Sequence, residues 1–186
     1  MMQMWLHSDW HLWHHNIYKF TYVDKDGVER RVRERFASCE EGDKFIANRW
    51  REMVKPEDHV WCLGDITMER GKHRSVEFIA LMRSLPGHKR LILGNHDHLD
   101  AAIYTEAGFQ KIRGSNLIAG VLCTHYPVHA GSMPFRAVGN AHGHIHQNDS
   151  PPGPYYNCSV EQTDYEPIPI EVVQQRLRKL KDTETL

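Results

Sequence analysis

The chain has little of several things, and each shortage excludes a class of protein. No apolar run approaches the roughly 20 residues that a membrane-crossing helix needs. Only four cysteines occur, Cys39, Cys62, Cys123 and Cys158. They form no C-x-x-C pair, which argues against a disulfide scaffold or a thiolate zinc site. A formal net charge of −1 removes any general pull toward nucleic acid or an anionic membrane. No repeat or low-complexity tract is present, so a solenoid is excluded. The N-terminal stretch lacks a basic region and its apolar run meets a histidine at His7. These features lead us to expect a cytoplasmic chain with no signal peptide and no membrane partner. A length of 186 residues suits one domain, residues 1–186, with no separate cap domain.

Histidine, by contrast, is abundant, with 14 residues. Five short segments each place a metal-type ligand just behind an apolar run. They are Ser8-Asp9-Trp10-His11, Leu63-Gly64-Asp65, Gly94-Asn95-His96-Asp97, Thr124-His125-Tyr126 and Gly143-His144-Ile145-His146. The preceding runs, 2–7, 59–63, 90–93, 117–123 and 136–141, read as strands, with further strands over 109–112 and 155–160. Ser38 and Glu41 form a capping box before a helix that Pro56 stops. Helical spacing also marks 76–85, a short stretch from Ala101 to Gly108, and 171–181. Residues 23–28 resemble a hairpin turn.

Ligands in open α/β sheets collect beyond the carboxyl ends of strands, so the five segments are expected to converge. Any one of them fits an ordinary turn, since Gly, Asn and Asp favour turns. In series, each behind a strand, they point to a two-metal site. Asp9 and His11, two apart, would face the same way in an extended backbone. Asp65 has two carboxylate oxygens and suits a bridge. Asn95 offers a carbonyl oxygen, and His125, His144 and His146 offer imidazoles. Two divalent ions held by two aspartates leave a positive site that attracts phosphate and activates water.

The order Asp-x-His, Gly-Asp, Gly-Asn-His-Asp, a later His, and Gly-His-x-His resembles the calcineurin-like metallophosphoesterases. A finer resemblance is to small bacterial and phage phosphoesterases that open with D-x-H-F-G-H-x-N. Here Asp9, His11, His14 and Asn16 are kept, while Leu12-Trp13 replace Phe-Gly. Asn157-Cys158-Ser159-Val160-Glu161, followed by Pro167, resembles that subgroup's last strand.

The resemblance implies a four-layer αββα sandwich of two mixed β-sheets flanked by helices. It implies one ion on Asp9, His11, Asp65 and His146, and another on Asp65, Asn95, His125 and His144. A metal-bridging hydroxide would attack phosphorus, His96 would act as general acid, and Asp97 would orient the His96 ring. Mixed N/O donors suit two divalent transition-metal ions, manganese foremost, with Fe, Zn, Ni or Co as alternatives. His14 and Asn16 are candidates for substrate contact and His142 for support of a ligand. Gly64-Asp65 through Arg70-Gly71 resembles the G-D-x-x-D-R-G of protein phosphatases with one extra residue and Glu69 in place of Asp. That likeness makes Arg70 a candidate phosphate contact.

Arg30, Arg31, Arg33 and Arg35 are interleaved with Glu29 and Glu34. Such mixed charge reads as a solvated face, so nucleic acid is not the favoured partner. The expected function is hydrolysis of a small phosphoric ester, a diester in preference. The alternatives are a phosphomonoesterase acting on a nucleotide or phosphoprotein, a non-catalytic scaffold of the same fold, and a metal-storage protein.

Overall fold

The computed structural model describes residues 2–71 and 73–184. Its central strands bury apolar residues on both faces. In β1 (Met4–His7), β4 (His59–Cys62) and β5 (His88–Ile92), neighbouring residues feed opposite sides of one sheet. Val60, Cys62 and Leu91 join one buried cluster, whereas Leu6, Trp61 and Ile92 join another. Burial on both faces sets apolar neighbours side by side toward the carboxyl ends of these strands, although β5 opens on His88-Lys89-Arg90.

That sheet has the order β11-β1-β4-β5-β6, with β6 at Phe109–Arg113 and β11 at Ile168–Pro169. The neighbours β1/β4, β4/β5 and β5/β6 are parallel, and β11 runs antiparallel to β1. Parallel neighbours require long crossovers. Helices α1 (Cys39–Met53), α2 (Ser75–Ser84) and α3 (Ala101–Glu106) supply them. Because the strands are added in one direction, right-handed crossovers put these helices on one face. There Ile46, Trp50, Phe78, Met82 and Tyr104 bury against Val60, Cys62 and Leu91.

The second sheet has the order β10-β9-β8-β7, built from β7 (Ser115–Ile118), β8 (Val121–Thr124), β9 (Gly139–His142) and β10 (Tyr155–Asn157). Its Val121, Cys123 and Ala141 meet Leu6, Trp61 and Ile92 across the interface. Helix α4 (Ile170–Glu184) closes this cluster with Ile170, Val173 and Leu177. Two mixed sheets flanked by helices is the architecture the sequence led us to expect.

Local chemistry explains the boundaries. The Ser38 hydroxyl accepts from the Glu41 amide at 3.2 Å, and the Glu41 carboxylate accepts from the Ala37 amide at 2.7 Å. The hairpin of β2 (Thr21–Val23) and β3 (Glu29–Arg31) turns on Asp24, whose carboxylate accepts from the Asp26 and Val28 amides. One expected strand, 117–123, is instead the β7–β8 hairpin. Ala119 and Gly120 have φ of 48° and 80°, the left-handed pair that a tight two-residue turn uses. All four cysteines are buried free thiols. Among the described residues no helix is long and apolar enough to cross a membrane.

Candidate metal centre

Five loops leave the ends of β1, β4, β5, β8 and β9 and meet where the two sheets open. They bring together two groups of ligand atoms, Asp9 with His11 and His146, and Asp65 with His125 and His144. The two groups touch through Asp65. Its Oδ1 accepts from the His96 amide at 2.8 Å, while Oδ2 lies 3.6 Å from His11 Nε2 and 3.3 Å from His125 Nε2.

The backbone here is unusual. Asp9, His11, Asp65, His144 and His146 all have φ between 50° and 72°. Non-glycine residues avoid that region unless the surroundings enforce it, and such strain gathers at functional sites. Asp9 and His11 therefore do not share a face of an extended strand, as their spacing implied. β1 has ended, and a turn converges them instead. The turn is held by the Asp9 amide on Gly64 O (3.0 Å) and the His11 amide on Asp65 O (2.9 Å).

The side chains are aimed by neighbours. Asp9 accepts from the Ser159 hydroxyl and the His144 amide, both at 3.0 Å. Gly143 makes that approach available, because a Cβ there would lie 2.1 Å from Asp9 Oδ2. His125 Nδ1 donates to Leu63 O at 2.8 Å, so in the neutral ring Nε2 carries only a lone pair. That Nε2 faces Asn95 Oδ1 at 2.9 Å as well as Asp65 Oδ2. With that ring neutral, three acceptors face one another, an arrangement that a proton on Nε2 or a metal cation would satisfy. His11 Nε2 is buried with no hydrogen-bond partner, 3.8 Å from Asp9 Oδ1. Ligand atoms about 2.0–2.2 Å from a shared ion lie about 3–4 Å apart, which is the spacing seen. The donor set thus fits a pair of divalent ions, and mixed N/O ligands suit transition metals over calcium.

The His125 and His146 rings and the carboxylates they face shift in opposite directions: burial would lower the rings, but Asp65 and Glu161 respectively outweigh it and raise them. Burial alone would raise the Asp9 carboxyl, but the contacts with His11, His146 and His125 outweigh it and hold it well below the usual range. Asp65 is lowered in the same way, burial being outweighed chiefly by His125. Burial pushes the His96 and His144 rings down.

The remaining sequence candidates divide. His96 and His14 line a cavity of about 380 Å³ with His11, His146, Ile17 and Phe20. The His96 ring lies 5.3 Å from that of His11. Asp97, however, does not orient the His96 ring. Its carboxylate accepts from the Asp65, Gly94 and Ile66 amides and the Tyr104 hydroxyl, while His96 Nδ1 has no partner. Its work is to tie the loops after β4 and β5 together. Asn16 is exposed outside the cavity, because the 3₁₀ turn at His15–Tyr18 carries it outward. Arg70 is exposed beside His98 and Asp100, outside both ligand groups but near enough to His96 to help burial lower its ring. His142 is fully buried, with Nδ1 on Gly143 O and Nε2 at Ser150 Oγ, so it supports the loop that carries His144.

Two residues escaped the reading of the sequence. Arg33 is not part of a solvated face but is completely buried, paired with buried Glu161 at 2.8 Å. Glu161 in turn accepts from His146 Nδ1 at 3.2 Å. The only sequence signal was Glu161 in the segment that resembles the subgroup's last strand.

Comparison with known proteins accords with this site. The uncharacterised protein MJ1445 of Methanocaldococcus jannaschii is 25% identical over 193 residues, covering 100% of this chain and 97% of that protein. The gene 66 proteins of Mycobacterium phages L5 and D29 are each 33% identical over 97 residues. Those matches cover 52% of this chain and 41% of the phage proteins. The crystal structure of AQ665 from Aquifex aeolicus, a protein of unknown function, shares the fold. Its TM-score is 0.68 at 24% identity, over 94% of this chain and 99% of that one. A model of the calcineurin-like phosphoesterase family matches residues 2–180. The chain belongs to the calcineurin-like phosphoesterases.

Proposed function

We propose that the chain is a dinuclear metal-dependent hydrolase of phosphoric esters, acting on phosphodiesters in preference to monoesters. The observation that carries this reading is Asp65 Oδ2, which faces one histidine from each ligand group. One ion is assigned to Asp9, His11, Asp65 and His146, the other to Asp65, Asn95, His125 and His144. When bound, such ions supply Lewis acidity, activating water and neutralising charge on the phosphoryl group during in-line displacement.

The chain's own residues do the rest. His11 and His146 form one wall of the cavity that also holds His96. From there His96 donates the proton that the leaving oxygen takes up. His14, half-buried in the same wall, contacts the ester's substituent. Support for a diester comes from two separate cavities, each lined by at least one proposed ligand. One cavity is lined by His11, His146 and His96, and a second of about 500 Å³ by Leu93, His125, Tyr126 and Val128. A diester has two substituents to accommodate, a monoester one. Manganese is the first ion to test. The four buried free thiols suit a reducing, cytoplasmic setting.

The test is a reconstitution panel. Metal-free protein loaded with Mn, Ni, Zn or Mg is assayed on bis-p-nitrophenyl phosphate, p-nitrophenyl phosphate, cyclic nucleotides and single-stranded oligonucleotides. A kcat/KM ratio in favour of the diester is expected. A ratio in favour of the monoester would reverse the assignment, and no hydrolysis with any ion would reject it.

A further inference from the structure

The ligands of the metal centre do not explain why a guanidinium is buried beneath it. Arg33 has no solvent exposure, and its partner Glu161 has 3%. The two are 128 residues apart in sequence. Arg33 directs all three of its nitrogens at this region. Nε donates to Glu161 Oε1 at 2.8 Å, Nη2 to Asp9 O at 2.8 Å, and Nη1 to Trp10 O at 2.9 Å and the Tyr18 hydroxyl at 3.4 Å. Glu161 uses its other oxygen, Oε2, on His146 Nδ1 at 3.2 Å.

We infer that Arg33 and Glu161 are positioning residues for the metal centre, acting on it from two directions. Through Glu161 the pair fixes His146. A carboxylate can only accept, so it keeps the ring proton on Nδ1 and leaves Nε2 as a lone pair, turned toward Asp9 Oδ1 at 4.0 Å. Through the two carbonyls the pair pins the turn whose Asp9 and His11 have φ of 58° and 54°. That turn aims the Asp9 carboxylate and the His11 imidazole. A planar fork with several fixed donors can serve both tasks at once, which a lysine cannot do. The inference rests on the two-ion reading above, but part of its test needs no metal.

Glu161→Gln separates positioning from filling space. Arg33 Nε–H claims the single carbonyl oxygen of the new amide, which leaves its NH₂ facing His146 Nδ1. The ring must then carry its proton on Nε2, the atom meant for the ion. Nitrogen NMR of the histidines in metal-free protein, at a pH where the rings are neutral, is expected to find His146 as the Nδ1–H tautomer in the natural chain. Glu161→Gln is expected to convert it to Nε2–H. Calorimetric titration with Mn²⁺ is expected to find one of two equivalents weakened about 10–100-fold, as loss of such outer partners generally does.

A second variant, Arg33→Met with Glu161→Leu, removes the charges together. Buried ion pairs replaced by apolar residues of similar volume commonly leave stability intact. Here the Asp9 and Trp10 carbonyls also lose their donor, so the unfolding midpoint is expected to fall, while the folded variant should still lose affinity for that equivalent. An unchanged His146 tautomer in Glu161→Gln, or natural affinity for both ions in either variant, would overturn the inference. Loss of the fold in both variants would also overturn it, in favour of a purely structural strut. A natural chain that binds fewer than two ions would instead count against the two-ion reading, with the tautomer result standing separately.

Discussion

Asp65 concentrates the site in one side chain, with one oxygen committed to the His96 amide and the other facing both ligand groups. Replacing it by Asn halves the available charge and should weaken both ions, whereas His146→Ala should chiefly empty one. Elemental analysis of the purified variants checks this, and two ions retained in Asp65→Asn would contradict it. His96→Ala should behave in the opposite way, keeping its metal and losing turnover by about 10²–10⁴-fold, the usual worth of a positioned acid. The loss should shrink for a nitrophenolate leaving group, which barely needs a proton. Equal losses for good and poor leaving groups would remove the acid role. At this scale the ligand types were legible, because each follows an apolar run that predicts a strand. What those side chains do with their neighbours was not. Asp97 is adjacent to His96 in sequence, yet its carboxylate is spent on backbone amides of two loops. Arg33 sits in an alternating charge run, and its burial depends on Glu161, 128 residues away. Local composition carries no trace of such a partner.

Among the elements, the strand ends set the direction of every ligand, and the glycines beside them set how near the loops come. Gly143→Ala would place a methyl 2.0 Å from Ser8 Oγ and 2.1 Å from Asp9 Oδ2. Either the β1 loop or the β9 loop must give way. A fall in both the thermal midpoint and metal affinity is expected, and a variant with natural ion affinity would show that the loops are not closely coupled. The β2–β3 hairpin is the contrasting case. Arg30 and Arg31 are exposed, and Arg30 is already paired with Asp24. Changing both to Gln should alter neither bis-p-nitrophenyl phosphate hydrolysis nor any activity on an oligonucleotide. A selective, salt-dependent loss on the oligonucleotide would mean that the hairpin meets a phosphate backbone. Elements with local signals were readable, such as α1 with its Ser38 cap. The β7–β8 hairpin was missed because a turn of Ala119-Gly120 interrupts an apolar run without a polar break. β11 was missed because Ile168–Pro169 is too short to show alternation and exists by pairing with β1.

For the molecule as a whole, His7 ties stability to pH. Its ring is buried 5.7 Å from that of Trp10 and 5.4 Å from that of Trp50, and neither nitrogen has a partner. Burial lowers its pKa from 6.5 to about 4. The unfolded chain therefore binds this proton first, so stability falls as pH drops from about 6.5 to about 4, by up to about 3 kcal/mol. Urea unfolding of chelator-treated protein should give His7→Leu a shallower slope across that window, and identical slopes would contradict the assignment. The fold delivers every proposed ligand to one place because both sheets open at the same end, where their parallel strands terminate. The central claim is that this end holds two ions through a shared Asp65. Titration of metal-free protein with Mn²⁺, followed by calorimetry while bis-p-nitrophenyl phosphate turnover is recorded on the same samples, tests it most directly. The account predicts saturation at two ions per chain, with turnover appearing only as the second is taken up. Saturation at one ion with full turnover, or turnover that survives complete chelation, would contradict it.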